Sequence, residues 1–504
     1  MTAPSPRLIV TLPARTVAEA RAQIEEARAS GADLAEVRFD RISPAERDGA
    51  ATLFPTDLPL VATLRSQLEG GEGPDDRIER SRILGTLAGL PFELVDQEEG
   101  RDEQPLATAP PAGPPNVILS THFPAGTPVS DLVREIERPV PPRTVRKVVL
   151  PASVGTVLRD LLPAIHRARA SRGPTVVLTT GGSGPLLRAL GRRLDQPFVY
   201  ASLPEPLGSD SSHTVEPSQL PVDRLHRYFA PADAPPLFAV VGRPVFHSLS
   251  PAIHDRWMQA TARAGLYLPL EVTSAEELEE AMAHLGNLGF RGLNVTHPWK
   301  SEALALARTS SPVARACRAA NCLTFSSPGW DADNTDVAAA TRRLGELRSE
   351  GAWKGDRLTV LGAGGAARAT VLAAQSFGAK VTVVARRPEQ AREVAQTLGC
   401  EVGDPTSPRS DPFVVHATSA GRESGHPLSI PLAAFLPPGG YLLDWVYHRG
   451  EPGLCPIARA AGARYESGER LLVYQAASSF ARWWGTPPSP DAVRGVLGEL
   501  GCAV

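Results

Sequence analysis

Only four of the 52 basic side chains in this sequence are lysine: Lys147, Lys300, Lys354 and Lys380. Arginine serves wherever positive charge alone is wanted, so each lysine raises the question of what an amine does there that a guanidinium cannot. An amine can lose its proton, form an imine with a carbonyl or hand a proton to a reacting oxygen. Lys147 lies in the mostly apolar run VRKVVL, where burial would desolvate the amine and prepare it for imine formation. His122, after the preceding apolar run, is of the type that takes up and returns a proton near neutral pH, with Glu69 or Glu36 available to orient it. Arg38, Arg65 and Arg188 could clamp a carboxylate and hydroxyls, and Gln219 adds a late amide.

Lys300 closes a second constellation. Ser248 and Ser250 stand in His-Ser-Leu-Ser-Pro, Thr296 and Lys300 in Asn-Val-Thr-His-Pro-Trp-Lys, Asn321 follows Ala320, and Asp336 ends Asn-Thr-Asp. Together these hydroxyls and amides can hold a polyhydroxylated ring, with Lys300 and Asp336 as a proton-transfer pair. Singly, the same residues are ordinary helix caps and turns.

The strand-like DRLTVL then runs into Gly362-Ala363-Gly364-Gly365-Ala366-Ala367 and a helix-like RATVLAAQ. In that setting Gly362 permits a tight turn, Gly364 lets backbone approach a pyrophosphate, and the small residues from Gly365 through Ala366 to Ala367 let helix pack on strand. The next strand, KVTVVA, ends at Arg386 and Arg387 instead of the acidic residue that holds ribose hydroxyls in NAD sites. Two guanidiniums suit a 2′-phosphate, so NADP is expected rather than NAD.

The elements that must carry these groups are legible as apolar runs. Eight of them begin at residues 8, 34, 58, 92, 116, 145, 175 and 198, most separated by helix-length stretches such as Val17–Ala29. This alternation predicts an α/β chain opening with a (β/α)8 barrel, a doubly wound sheet being the alternative. A barrel places its chemistry just beyond the strands. The Pro- and Ala-rich PADAPP at 231–236 then separates residues 1–230 from a second, two-domain α/β part. Its catalytic domain is expected over 237–340, completed by a largely helical 470–504, with a Rossmann NADP-binding domain over 341–469.

Composition narrows the partners. The 504 residues carry a formal charge of -3, with 21% charged and 42% hydrophobic side chains, which leaves no basic excess for nucleic acid and no polybasic patch for a membrane. Small molecules are the expected partners. Five cysteines, an odd number without a CxxC pair, argue against a disulfide framework or zinc ribbon, so no metal is expected and a reducing compartment fits. No apolar run approaches the roughly 18 residues of a membrane helix, and no signal-type segment precedes Leu8. The expectation is a cytoplasmic monomer or homodimer.

Residues 237 to 490 resemble the shikimate dehydrogenase family: Ser-x-Ser-Pro, Asn-Val-Thr-x-Pro-x-Lys, Asn-Thr-Asp, the glycine loop and a late Val473-Tyr474-Gln475 occur in that order. The resemblance implies that Ser248 and Ser250 bind a carboxylate, that Thr296, Asn321, Asp336 and Gln475 hold ring hydroxyls, and that Lys300 with Asp336 serves the transferred proton. It also implies that Tyr447 lines the substrate site and Thr418 lies near the nicotinamide. Two positions depart from the family, His416 for an asparagine and Cys322 for a threonine. More loosely, residues 7 to 228 resemble type I 3-dehydroquinate dehydratase. That implies Lys147 as the Schiff-base lysine, His122 as general acid and base paired with Glu69, and Glu36, Arg38, Arg65, Arg188 and Gln219 around the substrate. The closing segment Val215-Glu216-Pro217-Ser218-Gln219 departs from the family's Ala-Pro-Gly-Gln stretch. The two resemblances imply a bifunctional enzyme converting 3-dehydroquinate to 3-dehydroshikimate and then, with NADPH, to shikimate. The alternatives are a dehydrogenase with a non-catalytic scaffolding barrel and an NAD-dependent quinate oxidoreductase.

Overall fold

Parallel strands covered on both faces read as near-continuous apolar runs. The computed structural model describes residues 5–102, 116–168, 173–207, 215–407, 411–418, 430–447 and 453–502. Each of the eight runs is a strand: β1 (Arg7–Leu12), β2 (Leu34–Arg38), β3 (Leu60–Thr63), β4 (Leu94–Glu98), β5 (Val117–His122), β6 (Thr144–Pro151), β7 (Thr175–Thr180) and β8 (Phe198–Ser202), with a short β9 (Leu220–Pro221) following. The stretch expected to be helical from Val17 to Ala29 is a helix with those bounds, because Thr16 caps it by accepting the Glu19 N–H.

The strand order is β7-β6-β5-β4-β3-β2-β1-β8-β9, with every recorded pair parallel. Each strand lies beside its predecessor and β8 returns to β1, the singly wound order of a barrel. The doubly wound alternative, which needs a reversal of strand order, is thereby removed for this part of the chain. Side chains span the β7–β8 seam: Arg188 donates from Nη1 to the Thr179 carbonyl at 2.9 Å and from Nε to the Tyr200 carbonyl at 3.2 Å, and Gln196 donates to the Val177 carbonyl at 3.2 Å.

Alternation along each strand sorts the interior. Ile9, Leu34, Val61, Leu94, Ile118, Val145, Val176 and Phe198 form one buried apolar cluster. Two residues further along the same strands stand Thr11, Glu36, Thr63, Asp96, Ser120, Lys147 and Tyr200, all buried. Polar chemistry therefore begins one layer above an apolar floor, toward the C-terminal strand ends.

The chain divides into two compact units, the first being 1–236 with 244–247 and 264–284, the second the remainder. Beyond the barrel are two further sheets. One is mixed, in the order β11 (Leu266–Glu271), β10 (Leu237–Gly242), β12 (Phe290–Val295), β14 (Cys322–Ser326), β15 (Gly329–Asp333), β13 (Thr309–Ser310). The other is parallel, in the order β18 (Glu401–Val402), β17 (Lys380–Val384), β16 (Arg357–Leu361), β19 (Phe413–His416), β20 (Tyr441–Asp444), β21 (Arg464–Glu466). Counted from β16, that is 3-2-1-4-5-6, the Rossmann order, with its switch point between β16 and β19. The helix Glu469–Trp484 returns to the mixed sheet, where Trp483 stacks on Phe238 at 5.1 Å and Gly292 leaves room for the indole. The proline-rich stretch at 105–115, which reads as a loop of the barrel, lies outside the described residues, as does Ser419, which follows Thr418.

Candidate active sites

In the barrel, Lys147 projects from the middle of β6, with its Nζ 3.0 Å from Asp96 Oδ2, 3.7 Å from Glu36 Oε1 and 4.2 Å from the centroid of the Tyr200 ring. The amine is buried, as its place in an apolar run suggests, and it lies in an ionic cage. The strand VRKVVL is apolar because its neighbours face its flanks, while the cage is built by other strands. Asp96 is anchored by Arg65 Nη2 at 2.9 Å and Ser120 Oγ at 2.5 Å. These cations and the hydroxyl outweigh the effect of burial and hold its carboxyl down at about 2. Glu36 is fixed by Thr11 and Thr63, each at 2.8 Å, and Gln219 reaches Thr11 at 3.0 Å. Arg38 is held bidentately by Asp40 at 2.8 and 2.7 Å.

Arg65 organises the rest. Its Nη1 contacts Glu69 at 2.9 Å, Ser120 at 2.9 Å and Glu98 at 3.2 Å. Glu98 also accepts from the Ser66 N–H and hydroxyl, both at 2.7 Å. Removing Arg65 would leave Asp96, Glu98 and Glu69 without their shared cation in a buried site. Arg188 is held through its Nε and Nη1, which donate to the Tyr200, Thr179 and Gly184 carbonyls. Burial lowers its pKa to about 10.

His122 ends β5, with its Nδ1 2.9 Å from Glu69 Oε2. Burial, then the positive charges of Arg65, Lys147 and Arg38, push the imidazole pKa well below its usual value. Burial pushes Glu69 up to about 7, against the pull of Arg65. An ionised Glu69 draws the ring proton to Nδ1 and leaves Nε2 as a base, whereas a protonated Glu69 donates to Nδ1 and places the ring proton on Nε2. A reaction that uses His122 as its base is thus expected to lose tenfold in kcat/KM per pH unit below about 7, and to be slow throughout in Glu69→Gln. A profile flat from pH 6 to pH 8 would contradict this coupling.

In the second unit, Lys300 begins the helix Lys300–Leu306 and its Nζ lies 2.6 Å from Asp336 Oδ2. Asp336 sits in the first turn of the helix Thr335–Ser349, whose cap, Asn334, accepts the Asp336 N–H. Its other oxygen accepts from Asn321 at 2.7 Å. Asn321 is itself fixed by Thr335, and its Nδ2 lies 3.5 Å from Gln475 Oε1. Lys300, Asp336, Asn321 and Gln475 thus form one connected polar group. Thr296 follows β12 against Gly242, Ser248 accepts the Ser250 N–H at 3.2 Å at the entry to the helix Ser250–Ala260, and Tyr447 follows β20. Cys322 is buried beside Ser479, and burial raises its thiol to about 11, so it stays neutral.

The glycine loop leaves β16 with Gly362 at φ 127°, a backbone that favours glycine. A methyl group added there would lie 2.5 Å from the Ala417 carbonyl oxygen, whereas one on Gly364 would meet nothing within 4 Å. Gly364 caps the helix Gly365–Gln375 with no side-chain hydrogen bond, and the first N–H groups of a helix have no partner within it, which makes this start a cradle suited to a pyrophosphate, with Ala366 in its first turn. Arg386 and Arg387, both exposed, follow β17. These residues fit a phosphorylated dinucleotide. A methyl group on Gly365 would stand 3.4 Å from Lys300 Cδ, so the cradle adjoins the Lys300–Asp336 pair.

Asp96, Glu98, Ser120 and Tyr200 were not singled out from sequence. The available signal was the period of two in Leu94-Val95-Asp96-Gln97-Glu98, where acidic residues continue the face begun by a core leucine.

The fold and the two sites define a lyase-type lysine barrel joined to a dinucleotide-dependent oxidoreductase. Residues 240–323 match the family model for the shikimate dehydrogenase substrate binding domain, and residues 8–231 match type I 3-dehydroquinase. The shikimate dehydrogenase (NADP(+)) of Anaeromyxobacter dehalogenans strain 2CP-1 is 39% identical over 277 residues, 53% of this chain and 97% of that protein. A structure of shikimate 5-dehydrogenase from Thermus thermophilus in complex with NADP(H) and shikimate is 31% identical over 53% of this chain and 99% of that one, with a TM-score of 0.47. One of dehydroquinate dehydratase and shikimate dehydrogenase from S. pombe AroM spans 98% of both chains at 21% identity and a TM-score of 0.43. The chain belongs to the shikimate dehydrogenase family and carries a type I 3-dehydroquinase domain before it.

Proposed function

We propose that one chain performs two consecutive steps: dehydration of 3-dehydroquinate to 3-dehydroshikimate in residues 1–230, then reduction to shikimate in the remainder. For the second step, residues 237–340 completed by 470–504 hold the substrate and residues 341–469 hold NADPH. The observation that carries the reading is the pair of lysines, each against a carboxylate, Lys147 at 3.0 Å from Asp96 and Lys300 at 2.6 Å from Asp336.

In the barrel, the Lys147 ammonium lends a proton to His122 so that its amine can add to the substrate ketone; the ketone oxygen leaves as water, taking that proton and one from the amine, and the cationic imine that remains is stabilised by Asp96, Glu36 and the Tyr200 face. His122 removes a proton from the carbon beside the imine. The electron pair forms the new double bond as hydroxide departs, protonated by the same imidazole, and water then hydrolyses the imine to free the lysine. Glu69 fixes the ring tautomer, and Arg38 and Arg65 supply positive charge around the substrate.

In the second half, bound NADPH supplies the hydride. Lys300 is placed to give a proton to the carbonyl oxygen, Asp336 and Asn321 to hold ring hydroxyls with Gln475 and Thr296, and Ser248 and Ser250 to bind the carboxylate. Arg386 and Arg387 are placed for the 2′-phosphate. Action in a reducing compartment such as the cytoplasm is supported by five free thiols, and the protein is taken to work on small molecules as a monomer or homodimer.

Supplying the whole protein with 3-dehydroquinate and NADPH should oxidise NADPH and yield shikimate without an added enzyme. Arg386→Ala should raise the NADPH Michaelis constant by about tenfold, the loss of a charge-assisted hydrogen bond, and leave that for NADH unchanged. Oxidation that requires added 3-dehydroshikimate would reject the first half, and equal use of NADH by the parent would reject the cofactor assignment.

A further inference from the structure

Tyr200 lies in the polar layer of the barrel, 2% exposed, with its ring beneath the Lys147 ammonium, which stands 4.2 Å from the centroid. The other hydroxyls of that layer are spent on carboxylates: Thr11 and Thr63 donate to Glu36 at 2.8 Å, and Ser120 donates to Asp96 at 2.5 Å. The Tyr200 hydroxyl has no hydrogen-bond partner among the described residues. A buried hydroxyl without a partner costs stability, so a fold that keeps one at the centre of a reaction site leaves it for a ligand atom. The charges that act on it belong to the same site: Glu36 and Arg38 of β2, Asp96 of β4 and Arg65 beyond β3. Burial, then Glu36 and Asp96, push the phenol well above its usual pKa, so it carries its proton throughout the neutral range.

The ring decides which ligand atom the hydroxyl can reach. Lys147 Nζ stands over its face, and the hydroxyl lies at the rim of that face. When the amine bonds to a ketone carbon, the former carbonyl oxygen sits one bond beyond that carbon. It can then approach the phenol to the about 2.5–3.0 Å of an O–H···O hydrogen bond. Resting on the imine reading above, we infer that Tyr200 is a further catalytic residue, whose hydroxyl holds the oxygen that leaves and re-enters at the ketone carbon. As the amine adds, the C=O electron pair moves onto that oxygen, and the phenol donates a hydrogen bond to the growing charge. The oxygen takes its two protons from His122 and the amine and departs as water, while the phenol keeps its own. Hydrolysis follows the same path in reverse, with the phenol placing the water that enters. The finished imine lacks this oxygen, so the hydroxyl acts on making and breaking the imine and not on the imine itself.

The test is exchange of the 3-dehydroshikimate carbonyl oxygen with water labelled with heavy oxygen, followed by mass spectrometry. It uses the full chain without NADPH and subtracts the exchange seen without protein. Each exchange is one passage into the imine and back. Tyr200→Phe, which keeps the ring under Lys147, should slow the exchange about tenfold, the loss of one hydrogen bond to a developing charge. The share of Lys147 trapped by borohydride at equilibrium with 3-dehydroshikimate should not fall. Unchanged exchange in Tyr200→Phe would overturn the inference, because the hydroxyl would then be idle. A trapped share that falls in step with the exchange would overturn it too, by tracing the loss to the cage around the amine. A parent that yields no trapped Lys147 would instead overturn the imine reading, and this inference with it.

Discussion

Replacing Lys147 with alanine should lower dehydration of 3-dehydroquinate by about four orders of magnitude or more, the scale on which loss of a covalent nucleophile acts. Reduction of 3-dehydroshikimate by the same protein should continue at the parent rate. The mutation has a structural cost to be separated from the chemical one, because Asp96 and Glu36 lose a cation in a buried site. Truncating one member of a buried ion pair costs about 3–5 kcal/mol. Here Asp96 keeps Arg65 at 2.9 Å, which limits the loss. Lys147→Arg isolates the chemistry: it retains the positive charge beside Asp96 and cannot form the imine, so the fold should persist while dehydration is lost. Borohydride added during turnover should fix the imine as a mass increase on Lys147 of the parent and on neither variant. Mass on another lysine, or turnover by Lys147→Ala at the parent rate, would remove the imine mechanism from this barrel.

What the sequence reveals here depends on how local each signal is. The eight strands are read correctly because parallel strands covered on both faces are continuous apolar runs, and the glycine loop because its turn, helix start and strand are contiguous. The ionic cage of Lys147 is not legible because the residues that make it are not local. Asp96 comes from β4, Glu36 from β2 and Tyr200 from β8, and only barrel closure brings them to one amine. The contacts of Arg188 are hidden for the same reason: its Nε and Nη1 go to carbonyls at the seam between β7 and β8, which the strand pattern alone does not locate. His416 looks like a lost contact when compared with an asparagine one position at a time. Its partners, Asp444 at 2.8 Å and Thr418 at 2.6 Å, become apparent once β19 and β20 are paired in register.

Lys300→Ala should reduce kcat for 3-dehydroshikimate by about 10²–10⁴-fold, the range for losing a positioned general acid. The NADPH Michaelis constant should change little, because the cradle is built of backbone N–H groups and small residues. Lys300→Arg is the sharper variant. It keeps a cation near Asp336, so the attraction that orients both side chains persists, but a guanidinium does not readily give up a proton and should rescue little of the rate. Asp336→Asn should instead act on both constants, since one of its oxygens faces Lys300 at 2.6 Å and the other accepts from Asn321 at 2.7 Å. An amide keeps only one of those acceptor positions, so Asn321 or Lys300 must turn, and the substrate hydroxyls they border lose their fixed partners. Dehydration in the same molecules should be untouched, which makes each half the folding control for the other. If Lys300→Arg reduced 3-dehydroshikimate as fast as the parent, positive charge alone would suffice at this position and proton delivery would have to be assigned to another group.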